Sequence, residues 1–107
     1  MPDQKYFDVM LPPVKEDILV QLCDLKSDFA DRYAVKQIGI FGSVARNEAH
    51  AESDIDIVVH IEPNMFKRFH LKVELETLFG RDVDVIRYWY GMNPYLKARI
   101  DCEAIYA

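Results

Sequence analysis

Apolar residues recur along this chain with two spacings, and the changeovers between them mark its elements. From Val14 they fall at Ile18, Leu22, Leu25 and Phe29, with Leu19 widening the stripe. A return every three to four residues lines one side of a helix, so a helix is predicted to about Arg32. Pro12-Pro13 stands at its head, where a missing N–H and a fixed φ are tolerated. Residues 1–12 show no such period and read as an extended or loosely packed arm. Ile38-Gly39-Ile40-Phe41 and the run from Asp54 to Ile61 are short and apolar, as strands inside a sheet are. Between them, Val44–Glu48 predicts a short helix and Asn47 to Ser53 a polar loop. Glu62-Pro63-Asn64 stops the second strand.

Helical spacing returns over Phe66–Phe79, with Phe69, Leu71, Val73, Leu75 and Leu78 available for burial and Gly80 as a C-terminal stop. Val83–Ile86 is a third strand. Asn93-Pro94 reads as an N-cap followed by proline at the first helical position, and this last helix runs to about Asp101 with Leu96 and Ile100 inward. Glu103–Tyr106 is read as a short final strand in preference to a helical tail. The order predicts a small α/β (α+β) domain: a mixed sheet with helices packed mainly on one face. No repeat, low-complexity tract or linker interrupts it, so residues 1–107 are expected to form a single domain.

Composition narrows the setting. Half of the residues are apolar and 29% are charged, an ordinary balance for a soluble globular protein. No apolar run approaches the ~20 residues of a membrane span, and Met-Pro-Asp-Gln-Lys carries no leader pattern. Cytoplasm is the expected location. The net charge of −5 with scattered Lys and Arg makes a poor general nucleic-acid groove, so nucleic acid is not expected as a direct partner. Cys23 and Cys102 lack metal or redox spacing and are expected as free thiols. His50, His60 and His70 share no ligand spacing. The cluster Tyr88-Trp89-Tyr90, with Tyr95 and Tyr106, would mark a protein contact surface if exposed; burial of Trp89 in the core is the alternative.

The chemistry lies where the strands begin and end. Asp54 and Asp56 share one face of a strand, roughly 6–7 Å apart along the backbone. Two anions on an otherwise apolar strand are costly unless a cation meets them, and Mg²⁺ held by carboxylates plus phosphate oxygens answers that need. Asp84 lies within the third strand; Asp82 shares its parity, but Val83 and Val85 flank Asp84, which is preferred. Gly42-Ser43 lets a phosphate approach the backbone at the start of a short helix, though the pair taken alone reads first as a plain turn with Ser43 as helix N-cap. Arg46 is a candidate charge-assisted donor to phosphate, with a solvated surface residue as the alternative. The fixed offset between Gly42-Ser43 and Asp54-Ile55-Asp56 is more specific than either part, and the set suggests metal-assisted nucleotidyl transfer.

Ile40-Phe41-Gly42-Ser43-Val44-Ala45-Arg46, followed by Ser53-Asp54-Ile55-Asp56-Ile57-Val58-Val59, is similar to the motif of DNA polymerase β-like nucleotidyltransferases. It most resembles the minimal nucleotidyltransferase (MNT) family, and the similarity extends through Val83-Asp84-Val85-Ile86 to Ile100-Asp101-Cys102-Glu103-Ala104-Ile105-Tyr106. The resemblance implies the polymerase-β-like fold, ATP as substrate and a two-metal Mg²⁺ site. By motif matching it gives Asp54, Asp56 and Asp84 as catalytic and metal-binding residues, and Gly42, Ser43 and Arg46 as nucleotide-binding ones. Many members are antitoxins paired with a HEPN-domain ribonuclease toxin, a tyrosine of which they adenylylate. A HEPN-type toxin is therefore the expected partner, in a hetero-oligomer, with no membrane as partner. Asn47 departs from the family, which often has Gly there; Asn tolerates left-handed backbone geometry. A binding-only antitoxin that masks its partner, and transfer to a small molecule such as an aminoglycoside, stay open as alternatives.

Overall fold

The computed structural model describes residues 11–107, so the arm expected at residues 1–12 lies almost wholly outside the described residues. Within them the chain forms α1 (Lys15–Tyr33), β1 (Gln37–Phe41), α2 (Gly42–Ala45), β2 (Ile55–His60), α3 (Met65–Phe79), β3 (Val83–Arg87), α4 (Pro94–Glu103) and β4 (Ile105–Tyr106). The strands make one sheet in the order β3-β2-β1-β4. β1 pairs antiparallel with β2 and with β4, whereas β2 and β3 run parallel. The sheet is mixed, as the element order predicts.

Period-two alternation sorts the strand residues between two faces. Ile38 and Ile40 of β1, Ile55, Ile57 and Val59 of β2, and Val83 of β3 join Ile18, Leu22 and Phe29 of α1 and Leu71 and Leu75 of α3 in the main core. Phe41 and Val58 face the other way and pack with Ile100 of α4, bordered by Ile86, Tyr88, Met92 and Leu96. Helices thus cover chiefly one face, and α4 roofs part of the second. Asp56 and Asp84 lie on that second face, which is only partly open.

Local chemistry sets the helix ends. Ala34 and Gly80 close α1 and α3 in left-handed geometry, with φ of 57° and 66°. Asn64 accepts the Lys67 N–H at 2.9 Å, and Asn93 accepts those of Tyr95 and Leu96, so both asparagines cap the helices that follow. Tyr33 Oη donates to Glu74 Oε1 at 2.8 Å, tying α1 to α3 beside the Arg32–Glu74 ion pair.

Three expectations are corrected. α2 begins at Gly42 instead of Val44, and Asp54 stands just ahead of β2 instead of within it. On α3 only Leu71 and Leu75 are fully buried, while Phe69 and Val73 are exposed. Leu71 and Leu75 share one helical stripe, and a step of two residues turns about 200°, which puts Phe69 and Val73 across the helix from it. Leu78 is exposed as well.

Truncation should report this division. Leu71→Ala, at a position with 0% exposure, is expected to cost about 2–5 kcal/mol in urea unfolding. Phe66→Ala, at 82% exposure, should shift stability by no more than about 0.5 kcal/mol. Equal losses would contradict the assignment of the inward stripe.

Candidate active site

Gly42 is where β1 turns into α2. Its φ is +74°, and a Cβ there would lie 2.2 Å from Asp56 Oδ2. Both facts demand glycine, the first for backbone freedom and the second for space. The register explains the closeness: Phe41 is opposite Asp56 across the β1–β2 ladder. Val44 and Ala45 are buried and anchor α2 in the core, while Ser43 is half-buried. Asn47 adopts φ 60°, the left-handed geometry its side chain tolerates.

Asp56 is directly beside Asp84 in the parallel β2–β3 register, on strands about 4.8 Å apart. Burial above all, and next the Asp84 charge, push the Asp56 carboxyl above its ordinary range; Asp54 adds to this, while Arg99 and Arg46 draw it back. Asp84 is exposed and lines a shallow cleft with Met65, Arg68, Phe69, Lys72 and Val85. Asp54 is exposed at the head of β2. Asp82 is exposed ahead of β3, where its carbonyl accepts the Ile55 N–H at 3.1 Å. Asp84, unlike Asp82, therefore sits within the ladder.

No side chain among the described residues donates a hydrogen bond to the Asp54, Asp56 or Asp84 carboxylates, and none pairs with them at salt-bridge distance. Nor do any three His, Cys, Asp or Glu side chains among the described residues gather closely enough to hold a metal ion by themselves. Carboxylates that repel one another and lack a cationic partner are a donor set suited to a hard cation that takes its remaining ligands from phosphate and water.

Two residues that sequence reading missed complete the surroundings. Glu103, the last residue of α4, accepts the Gly42 N–H at 3.1 Å and Arg46 Nη1 at 3.0 Å, with Arg99 Nη2 at 3.8 Å. Arg46 also donates from Nε to Glu48 at 2.8 Å. The i,i+4 spacing of Arg99 and Glu103 was visible, but their nearness to Gly42 depends on β4 pairing with β1, where Ile105 lies opposite Ile40. Sequence reading assigned Glu103 to the final strand, which in fact spans only Ile105–Tyr106.

The other candidates separate from this site. His60 stacks on Tyr88 with ring centroids 4.7 Å apart and meets Tyr106 Oη at 2.8 Å. Burial lowers its pKa, and the ring acts as packing. Trp89 is 43% exposed and Tyr90 and Tyr95 more so, which decides against the core alternative for Trp89. Cys23 and Cys102 are free and exposed. No helix among the described residues is long and apolar enough to cross a membrane.

The raised Asp56 carboxyl has a consequence for stability. The native state holds that proton more tightly than the unfolded chain, so the associated stability is present below the ordinary value of 3.8 and is lost as pH rises through the folded value. Asp56→Asn should therefore melt above the parent at pH 7, with a gain kept small by solvent screening. The difference should close as pH falls below about 4. A variant that melts lower than the parent at pH 7 would contradict the electrostatic picture.

Known proteins resemble this chain over most of its length. A family model described as a nucleotidyltransferase domain matches residues 22–106. The protein adenylyltransferase MntA of Thermococcus cleftensis is 40% identical over 87 residues, which span 79% of this chain and 83% of that one. A solved structure named as a minimal nucleotidyltransferase superposes with a TM-score of 0.71 at 32% identity, covering 87% of this chain and 95% of the other. A tri-AMPylated Shewanella oneidensis HEPN toxin in complex with its MNT antitoxin matches with a TM-score of 0.62 at 19% identity, covering 87% and 71%. That last likeness is one of fold.

Proposed function

This chain belongs to the nucleotidyltransferase family, and from that premise we propose that it is an antitoxin that transfers AMP from ATP to a tyrosine hydroxyl of a HEPN-type toxin in a Mg²⁺-dependent reaction. The observation that carries the reading is the placement of Asp56 between Asp84 and the Gly42 turn, all on one face of the sheet. The MntA relative is named a protein adenylyltransferase, and the Shewanella complex holds an AMPylated HEPN toxin; both support the choice of acceptor. In this reading residues 1–107 act as one domain, in the cytoplasm, assembled with the toxin.

Asp54, Asp56 and Asp84 would hold Mg²⁺, whose chemistry when bound is to neutralise phosphate charge and favour the alkoxide form of an attacking hydroxyl. Ser43 and Arg46 meet the triphosphate, Ser43 through its hydroxyl and Arg46 through its guanidinium. The Gly42 N–H is engaged by Glu103, so the role of Gly42 is to keep the turn clear of any side chain. Asp84, exposed beside the cleft, receives the acceptor proton and passes it to solvent. The acceptor oxygen bonds to the α-phosphorus as the bond to the β-phosphate oxygen breaks, and pyrophosphate leaves. Positioning and charge compensation account for most of the acceleration in such transfers.

Intact mass spectrometry of the toxin after incubation with this protein, ATP and Mg²⁺ tests the reading. The toxin should gain whole AMP units on tyrosine, and Asp54→Asn, Asp56→Asn and Asp84→Asn should each slow this by about a hundredfold or more. Inhibition without a mass change, equally strong from the parent and from Asp56→Asn, would establish a steric mask instead. Gain of AMP on a small molecule but never on the toxin would move the acceptor to that class.

A further inference from the structure

We propose that Glu103 is a positioning residue for the nucleotide, its carboxylate holding the Gly42 amide and the Arg46 guanidinium in place beside Asp56. The inference rests on the nucleotidyl-transfer reading above. It starts from an oddity of charge: the face that already carries Asp54, Asp56 and Asp84 receives a fourth carboxylate, from α4. Glu103 is not spread into solvent, since its side chain is only 20% exposed. One oxygen, Oε1, takes both the Gly42 N–H at 3.1 Å and Arg46 Nη1 at 3.0 Å, and Arg99 Nη2 stands 3.8 Å away.

This arrangement fixes Gly42 from two sides. Asp56 Oδ2 fills the space where a Cβ would be, and Glu103 restrains the amide. A backbone in left-handed geometry with no side chain has freedom to lose, and the turn needs restraint if Ser43 is to meet a phosphate in one orientation. Arg46 leaves α2 at its C-terminal end, and its 38% exposed side chain is held between Glu48 and Glu103. Without Glu103 it would keep only the more exposed Glu48. Among the described residues the polar partners of Glu103 are Gly42, Arg46 and Arg99, so its effect passes through Gly42 and Arg46. Pairing of β4 with β1 sets its place, which makes the chain's C-terminal turn part of the site.

Glu103→Ala and Glu103→Gln separate this role from packing, because the Gln amide oxygen can accept from both donors while lacking the charge. In Glu103→Ala the KM for ATP should rise about tenfold while the KM for the acceptor protein stays within about twofold; Glu103→Gln should stay within about threefold of the parent in both. Amide hydrogen exchange followed by NMR gives a readout independent of catalysis. The Gly42 amide should exchange about tenfold faster in Glu103→Ala and near the parent rate in Glu103→Gln, with the Ile57 and Val58 amides unchanged in both. An unaltered KM for ATP or an unaltered Gly42 exchange rate in Glu103→Ala would overturn the proposal. So would a lower KM for ATP, which would mean that the carboxylate competes with phosphate. A parent protein without transferase activity toward any acceptor would remove the reading beneath it, and the exchange data would then show the clamp to be structural alone.

Discussion

The rest of the structure is arranged around the closeness of Asp56 and Asp84. Two carboxylates on adjacent parallel strands repel, and burial of Asp56 sharpens the repulsion. A fold has no reason to keep such a pair for stability, since an uncompensated charge at a half-buried position opposes folding. The surrounding elements relieve the strain only in part. Arg99 and Arg46 bring positive charge near Asp56, but neither forms an ion pair with it. What remains is a site that a divalent cation and a polyphosphate would complete.

Topology makes the arrangement possible. Antiparallel pairing of β1 with β2 places the Gly42 turn beside Asp56, and parallel pairing of β2 with β3 places Asp84 on its other side. α1 and α3 bury the opposite face in a continuous apolar core, while the acidic face holds only the smaller cluster of Phe41, Val58 and Ile100. α4 covers the far part of that face with Ile100 and Leu96 and delivers Arg99 and Glu103 at its end. The larger core and the candidate site thus lie on opposite sides of one sheet.

Much of this was legible in the residues. Apolar period separated strands from helices, Asn93-Pro94 announced the start of α4, and the parity of Asp54 and Asp56 assigned them one face of a strand. α3 was harder, because Phe66, Phe69 and Val73 are as apolar as Leu71 and Leu75, and only packing shows which stripe turns inward. Arg99 and Glu103 were beyond reach for a different reason. They lie more than fifty residues from Gly42 in sequence, and a two-residue strand pairing is what brings them near. Local pattern carries no trace of such a contact.

The most direct measurement of the central claim is where a hard cation binds. Mn²⁺ shares the oxygen preference of Mg²⁺ and broadens nearby NMR signals through its unpaired electrons. With a nonhydrolysable ATP analogue present and Mn²⁺ well below one equivalent, the amide signals of Gly42, Ser43, Asp56 and Asp84 should broaden first, and those of Leu22, Phe29 and Leu75 on the far side of the sheet should persist. Selective broadening at any other acidic cluster, or none that distinguishes the two faces, would contradict the account.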